Sequence, residues 1–471
     1  MIPTRNFRIL TVLILSLSIF ITSCKDSEKP SNPDDNTPEN PNVIINNWIQ
    51  VNMDYWYYWH ASMNNPINEE SDPEEYFNEL LVNQDRFSII YPNFQELLSA
   101  LEGTSKEAGY EYTLFRESEA NNNVIAVVLY VKKGSPAEAA GIKRDDVIVG
   151  INDTQITLNN YQDLLGATEE THTLNMYRYD DGEETYLPIE DPVEVSTTIF
   201  SENPLFMDSV YTIGDKKIGY LVYNFFAPGD NTEYNQELDE VFSDFKAKGI
   251  NEFVLDLRYN GGGYVSSAVN LASLIAPNAT ENDIFSKTEY NSNVQPDYIE
   301  LYGEASLTNR FKSKSQNIGS LLGSNTIYVI ATGSTASSSE LIINGLKPFL
   351  NVVIVGETTY GKNVGSIPIE DEENEDNDYG MLPIVSKSFN SQNQSEYGEG
   401  FSPNIPINEF AYRLLPFGDT NEVLLKGVIE QITGISSGDR LKTLDRKVLD
   451  NSLKTKARFG KMIESPIKLQ K

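Results

Sequence analysis

The spacing of apolar residues divides the chain into regions with different predicted folds. From 43 to 103 the apolar positions recur three and four residues apart, which predicts a small helical domain. Between 104 and 191 the pattern changes to short runs of β-forming residues separated by turn residues. From 192 to 471, apolar runs of strand length alternate with helical segments, which predicts an α/β core with a buried, largely parallel sheet. The whole pattern indicates a multidomain α+β protein.

The first 42 residues lack this periodicity and are predicted to direct the protein to the cell envelope. Residues 1–23 have the order of a secretory signal peptide, with two arginines, an apolar run too short to span a bilayer, and then small residues. The sequence Ile-Thr-Ser-Cys that ends at Cys24 resembles a bacterial lipobox, in which cleavage frees the cysteine for lipid attachment. Residues 24–42 are acidic and proline-rich, which predicts a flexible linker. We expect a protein held at either face of the outer membrane through this lipid anchor only. The alternative is an ordinary cleaved signal that leaves a free thiol.

Charge and the scarcity of two residue types exclude several classes of function. The 36 basic and 69 acidic residues give a formal charge of -33, which repels phosphate backbones and argues against a nucleic-acid partner. Cys24 is the only cysteine, so the chain has no internal disulfide and no cysteine-based zinc site. No motif predicts a metal or another cofactor. The only histidines are His60 and His172, and a histidine-dependent catalytic triad has to use one of them.

A short helix and a strand are predicted within residues 134–146, which have the sequence GSPAEAAGIKRDD. Ser135 and Pro136 are typical of a helix start, Gly141 is typical of a helix end, and the acidic turn after it leads into a strand. A further helix is predicted at 156–165. This arrangement resembles a PDZ domain.

The PDZ resemblance implies a site for the C-terminal segments of proteins. PDZ domains bind an extended peptide as an added strand beside their second helix and hold its terminal carboxylate in a nest of backbone amides. The matching loop and strand lie near residues 109–114, and Gly109, Tyr110 and Tyr112 are the predicted peptide-binding residues. The implied partners are proteins or peptides with free C-termini.

Two segments that follow predicted strands of the α/β region present backbone amides and hydroxyl groups. Residues 256–263 have the sequence DLRYNGGG, whose glycines leave amides able to approach an anion or a developing oxyanion. Residues 334–340 have the sequence STASSSE and open a predicted helix, where a hydroxyl group has unpaired amides and the positive end of the helix dipole beside it. Ordinary N-capping requires one such residue, whereas this segment has five.

A third segment, residues 356–363, nearly matches the phosphate-binding loop of NTPases with its sequence GETTYGKN. Two features argue against nucleotide binding. Asn363 stands where that loop requires serine or threonine, and residues 364–368 cannot begin the helix that must follow. Lys362 remains as a candidate general base, because burial disfavours the ammonium form and lowers the pKa of a lysine. In a chain with two histidines, a serine and this lysine are predicted to form a dyad.

Taken together and in this order, the PDZ stretch and the three segments resemble the carboxyl-terminal processing (tail-specific) serine proteases. The resemblance implies a ClpP/crotonase-like core in which Ser337 is the nucleophile and Lys362, 25 residues later, is the general base. It also implies an oxyanion hole formed by the amides of Ser338 and Gly263, with Gly262 as the alternative. The implied function is that of a cell-envelope serine endopeptidase, to which the PDZ domain presents the C-terminal segments of protein substrates.

Ser366 departs from the pattern of this family. Many members carry a glutamine four positions after the lysine that helps to orient it; serine is shorter but still forms hydrogen bonds, so Ser366 is the predicted auxiliary residue. The departure leaves a second hypothesis open, a catalytically weak or inactive peptide-binding lipoprotein with the same fold. The aromatic run at 55–59 suggests a third, a glycan-binding lipoprotein. Such a run on a helix more often belongs to a core, and burial of Trp56 and Trp59 counts against glycan binding.

Overall fold

The computed structural model describes residues 40–66, 68–435, 443–444 and 446–464. The predicted signal peptide, the predicted lipidation site at Cys24 and nearly all of the predicted linker lie outside these ranges. Within the ranges that are described, no helix is long and apolar enough to cross a membrane.

Caps and aromatic packing fix the N-terminal helices. These elements are α1 (Pro41–Trp56), α2 (Pro73–Leu80), β1 (Ile89–Tyr91) and α3 (Phe94–Leu101). Asp72 caps α2 by accepting two N–H groups of its first turn, where a proline also stands. Tyr57 is fully buried, and the half-buried Trp56 and Trp59 pack around the same core cluster. The aromatic run therefore belongs to a core, as expected.

The next region folds into a small β domain with two short helices. Its elements are β2 (Thr104–Glu107), β3 (Tyr110–Arg116), β4 (Val124–Val131), α4 (Pro136–Ala139), β5 (Val147–Ile151), β6 (Thr154–Gln155), α5 (Tyr161–Gly166), β7 (His172–Asp180), β8 (Thr185–Pro188), β9 (Val193–Val195) and β10 (Thr198–Ser201). Ser135 caps α4 by accepting the N–H of Glu138, as its position before a proline suggests. The second helix begins at Tyr161 and not at 156. The side chain of Asn160 first accepts the N–H and the hydroxyl group of Thr157 and closes a turn there.

The third region alternates strands with helices, as predicted. Its elements are β11 (Leu205–Ile213), β12 (Lys216–Tyr223), α6 (Glu233–Lys248), β13 (Glu252–Asp256), β14 (Gly262–Tyr264), α7 (Val265–Ile275), β15 (Ile284–Tyr290), α8 (Val294–Tyr302), β16 (Thr308–Arg310), β17 (Thr326–Ala331), α9 (Ser338–Leu346), β18 (Asn351–Gly356), β19 (Val364–Ser366), β20 (Gly380–Leu382), β21 (Ile384–Asn390), β22 (Ile405–Pro406), α10 (Val423–Thr433), β23 (Val448–Asn451) and β24 (Lys461–Ile463). The main sheet has the order β11-β12-β13-β17-β18-β22. β11 is antiparallel to β12, and the other neighbouring pairs are parallel, which confirms the largely parallel sheet.

A second sheet joins segments that are far apart in the sequence. Its order is β14-β24-β19-β21-β15-β16. β24 lies between β14 and β19 and is parallel to both, while β23 pairs antiparallel with β3 of the β domain. Residues 446–464, from here on the C-terminal segment, therefore contact both the β domain and the α/β core.

Candidate active site

Three loops meet where the parallel strands of the main sheet end. β13, β17 and β18 are neighbours in that sheet, so the segments after their carboxyl ends lie at one edge. The N–H of Ala336 donates to the carbonyl oxygen of Asn260 at 3.0 Å, and the N–H of Tyr360 donates to that of Thr335 at 2.9 Å. The glycine turn, the serine segment and the lysine loop singled out in the sequence are therefore brought together.

Ser337 has a strained backbone conformation at the start of α9. Its φ of 61° and ψ of -114° lie in a region that residues with a side chain rarely adopt. The side chain is buried, and its Oγ has no hydrogen-bond partner among the described residues. The N–H of Ser338, the first residue of α9, has no acceptor within the helix. The unpaired hydroxyl group of Ser337 therefore lies next in the chain to the N–H of Ser338, which the helix leaves without an acceptor.

The glycine turn packs directly against Ser337. A Cβ atom at Gly262 would lie 2.8 Å from the Cβ of Ser337, and one at Gly263 would lie 2.0 Å from the carbonyl oxygen of Phe226. Glycine is therefore required at both positions. The N–H of Gly262 donates to Oδ1 of Asn260 at 2.9 Å, so the amide of Gly262 is already engaged.

Lys362 is fully buried in a pocket closed from two sides. Burial lowers the pKa of Lys362 well below its usual value, and the nearby ammonium group of Lys461 lowers this pKa further. Its Nζ lies 5.1 Å from the centre of the Phe87 ring and donates to the carbonyl oxygen of Gly460 at 2.6 Å. Burial and the neighbouring ammonium group of Lys461 favour the neutral amine, which is the form that a general base requires.

Glu340 connects the serine segment to the lysine loop. Its Oε2 accepts the N–H of Ser337 at 2.9 Å and the N–H of Lys362 at 2.8 Å. Its Oε1 accepts the N–H of Gly361 at 2.8 Å and the hydroxyl group of Thr359 at 2.5 Å. Burial raises the pKa of Glu340 to about 7, against the opposing effect of these hydrogen bonds. One carboxylate therefore fixes the backbones of both candidate dyad residues.

A network of buried ion pairs is centred on Arg258, which is part of the glycine turn segment. The guanidinium group of Arg258 pairs with Asp256 at 2.7 Å, with Glu422 at 2.8 Å and with Glu409 at 3.2 Å. Arg144, which belongs to the β domain, shares Glu409 at 3.1 Å. Because every group in this network has a charged partner, its burial is tolerated, and the β domain is tied to the turn that carries the glycines.

Several residues of this site were not predicted from the sequence. The positions of Glu409, Glu422, Phe87 and Gly460 gave no local signal, since each reaches the site from a distant part of the chain. Arg258 indicates that carboxylates lie nearby, because an arginine next to a buried strand requires charged partners. It does not reveal which of the 69 acidic residues supply them.

Both histidines form hydrogen bonds outside this cluster. Nε2 of His172 lies 3.0 Å from the hydroxyl group of Tyr110 in the β domain, and Nε2 of His60 lies 3.1 Å from Oγ of Ser292. Neither bond involves Ser337. Within the described ranges, no group of three or more His, Cys, Asp or Glu side chains is placed to hold a metal ion.

Ser366 is buried in β19, four positions after Lys362. Its Oγ has no hydrogen-bond partner among the described residues, so it does not bond to the lysine in this conformation. The auxiliary role of Ser366 stays a prediction.

The predicted peptide-binding residues line an open groove of about 960 Å³. Gly109, Tyr110 and Tyr112 lie on one side of it, and Tyr161 and Leu165 of α5 on another. The groove therefore lies between the strand and the helix that the PDZ resemblance predicts. Residues of the C-terminal segment complete its lining.

We predict that Glu340→Gln lowers the free energy of unfolding by about 2 kcal/mol or more, because the new amide group faces buried donors and leaves them unsatisfied. Urea denaturation at pH 8 measures the change. Glu119→Gln, which replaces an exposed carboxylate, is the control and should stay within about 0.5 kcal/mol of the unchanged protein. Equal effects of the two substitutions would contradict the connecting role of Glu340.

Comparison with protein families agrees with this arrangement. The model of peptidase family S41 matches residues 217–407, that of the peptidase S41 N-terminal domain matches residues 44–89, and that of the PDZ domain matches residues 127–177. These matches fall on the α/β core, the N-terminal helices and the β domain.

Individual proteins that are similar to this chain are proteases of the same kind. The chain is 28% identical over 249 residues to a carboxyl-terminal-processing protease of Picosynechococcus and 24% identical over 326 residues to the carboxy-terminal processing protease CtpA of Bacillus subtilis. The alignments cover 51% and 68% of this chain, and 51% and 61% of these relatives, so the chain spans little more than half their length. A solved Bacteroides fragilis structure assigned to the S41 proteases is 29% identical, with a TM-score of 0.68, and the match covers 83% of this chain and 97% of that one. The fold of the chain therefore combines a core that is similar to peptidase family S41 with a small N-terminal domain and a PDZ domain.

Proposed function

We propose that the protein is a serine endopeptidase in which Ser337 is the nucleophile and Lys362 is the general base. The observation that carries this proposal is the bridge by Glu340, whose Oε2 accepts the amides of both residues and so fixes the two loops together. The lowered pKa of the buried Lys362 amine supports its role as a base at neutral pH.

The chemistry follows from the groups at this site. Neutral Lys362 takes the proton of the Ser337 hydroxyl group while Oγ attacks the carbonyl carbon of the scissile peptide bond. The amides of Ser338 and Gly263 stabilise the oxyanion that forms. Lys362 then gives its proton to the leaving amine, and a water molecule hydrolyses the acyl-enzyme by the same route. For this cycle, Nζ must turn from the carbonyl oxygen of Gly460 towards Ser337.

The PDZ domain is proposed to capture substrates through their C-terminal segments. Its groove is bordered by β3 and α5, the elements between which PDZ domains add a peptide strand. The curated relatives named above are carboxyl-terminal processing proteases, which supports the same specificity for this chain.

One observation favours a second candidate function, that of a catalytically weak or inactive peptide-binding lipoprotein. In this conformation Oγ of Ser337 has no hydrogen-bond partner in the part of the chain that the structure describes, and Nζ of Lys362 donates to the carbonyl oxygen of Gly460, so the dyad bond is not formed. Catalytic hydrogen bonds often form only when substrate is bound, and for that reason we rank the endopeptidase first.

We predict that Ser337→Ala and Lys362→Ala each lower kcat/KM for an unfolded protein substrate by about 1,000-fold or more, because each removes one half of the dyad. Mass spectrometry of the cleavage products measures the rate. The matched control is Lys347→Ala, which removes another lysine whose pKa is lowered by burial. Full activity of either dyad variant would exclude the assigned roles.

We further propose that the mature protein is attached to the cell envelope by a lipid on Cys24, which lies outside the described residues. Cells grown with radiolabelled palmitate should incorporate label into the protein, and Cys24→Ser should abolish it, since this is the only thiol of the chain. Equal labelling of both proteins, or none of either, would contradict the anchor.

A further inference from the structure

An acidic groove lies between the PDZ domain and the C-terminal segment. Glu107 and Glu111 line this groove and form a buried cluster with Glu202, and the three residues are each more than nine-tenths buried. Nζ of Lys132 lies 2.8 Å from Glu107, 3.0 Å from Glu111 and 3.1 Å from Glu202. Among the described residues outside the C-terminal segment, Lys132 is the only ion-pair partner of these three carboxylates. Three carboxylates and one ammonium group leave a charge of -2, which is costly to bury without further cations.

The missing cations come from the C-terminal segment of the same chain. Nζ of Lys456 lies 2.6 Å from Glu107 and 3.3 Å from Glu111, and the guanidinium group of Arg458 pairs with Glu202. The C-terminal segment has six basic and two acidic residues, in a chain whose formal charge is -33. Its two inward-facing cations bring the charge of the cluster to zero.

The electrostatic effect of this pairing is visible at Glu111. Burial raises the pKa of the Glu111 carboxyl group, but the charges of Lys456, Lys132 and Arg458 and the hydrogen bond from Ser452 together bring this pKa down to about 2. The carboxylate is therefore ionised at neutral pH and depends on the cations beside it.

The C-terminal segment also follows the path expected of a bound peptide. β23 pairs antiparallel with β3, the strand that leads out of the predicted carboxylate loop. Oγ of Ser452 then accepts the N–H of Tyr112 at 2.9 Å, on the same strand edge. Farther along, the carbonyl oxygen of Gly460 accepts a hydrogen bond from Nζ of Lys362. One segment thus runs from the peptide edge of the PDZ domain to the proposed catalytic lysine.

The two halves of the C-terminal segment are held by different forces. Met462 and Ile463 in β24 are fully buried within the second sheet. Val448 and Leu449 in β23 are 38% and 40% exposed, so apart from the buried side chain of Leu453 this half is held mainly by backbone pairing and charge. The first half is therefore the part that another peptide can replace while β24 stays in place.

We propose that Glu107, Glu111 and Glu202 form a binding site for peptide segments that carry two basic side chains two residues apart. In this structure the chain's own Lys456 and Arg458 fill that site and act as an internal competitor. An incoming segment takes the place of residues 448–458, and only a basic one restores the charge balance of the buried carboxylates. That such a segment belongs to a protease substrate rests on the proposed function; the binding site itself does not.

Peptide binding to the full chain with Ser337→Ala tests this proposal without requiring cleavage. The probe is a fluorescein-labelled peptide with the sequence of residues 447–459, and its partner probe has alanine in place of Lys456 and Arg458. Fluorescence anisotropy compares the protein that also carries K456A and R458A with one that carries K447A and K454A. This control pair removes the same charge from exposed positions of the same segment.

We expect the basic peptide to bind the K456A/R458A protein at least about tenfold more tightly than the control protein, because the internal competitor has lost its cations. The alanine peptide should bind the K456A/R458A protein at least about tenfold more weakly than the basic peptide does. Equal affinity for the two proteins, or equal affinity of the two peptides, would overturn the proposal.

Hydrogen exchange on the Ser337→Ala protein with its own C-terminal segment intact gives a second test that does not depend on the folding of the double variant. An excess of the basic peptide should accelerate amide exchange in residues 448–456, and the alanine peptide should not. The same exchange rate with both peptides would also overturn the proposal. Because both tests use a protein without the nucleophile, their failure leaves the peptidase proposal standing, and a failure of cleavage leaves them unaffected.

Discussion

The carboxylate of Glu340 accepts the amides of Ser337 and Lys362 on one oxygen, and this pair of hydrogen bonds sets the positions of the two loops relative to each other. The loops follow different strands of the main sheet, and strand pairing alone does not fix the conformations of residues beyond the strand ends. A buried acceptor with several donors resists rearrangement, because any lost bond leaves an unsatisfied group in a site that excludes water. The strained φ of Ser337 can persist under these conditions.

The surroundings of Lys362 come from three distant parts of the chain. The N-terminal helical domain supplies the ring of Phe87, the core supplies the lysine loop, and the C-terminal segment supplies Gly460 and Lys461. Loss of the Phe87 ring or of the C-terminal segment would admit water to Nζ and raise the pKa of Lys362 towards its usual value. The N-terminal domain and the C-terminal segment are therefore part of the chemical environment of the site, although neither carries a candidate catalytic group.

The sequence pattern predicted correctly those elements that are determined by residues close together in the chain. Alternating apolar runs predicted the parallel sheet, and the Ser135, Pro136 and Gly141 pattern predicted the first short helix of the PDZ domain. The second PDZ helix was predicted to begin five residues too early, because a side-chain turn at Asn160 competes with the helix. Glu340 was visible only as a residue of a helix start, since its partners in the lysine loop lie about 20 residues away. The two strands of the C-terminal segment were not predicted at all. They are short, and their pairing with β3 and β14 depends on contacts that no local periodicity encodes.

The rate at which a fluorophosphonate modifies Ser337 tests the dyad most directly, because the reaction needs an activated hydroxyl group but no substrate. Mass spectrometry of the intact protein and of its peptides follows the adduct between about pH 6 and pH 10. We expect an adduct on Ser337 whose rate of formation rises with pH, reaches its plateau below the usual lysine pKa of about 10.4, and is lost in Lys362→Ala. No adduct on Ser337, or a rate that neither pH nor the loss of Lys362 changes, would contradict it.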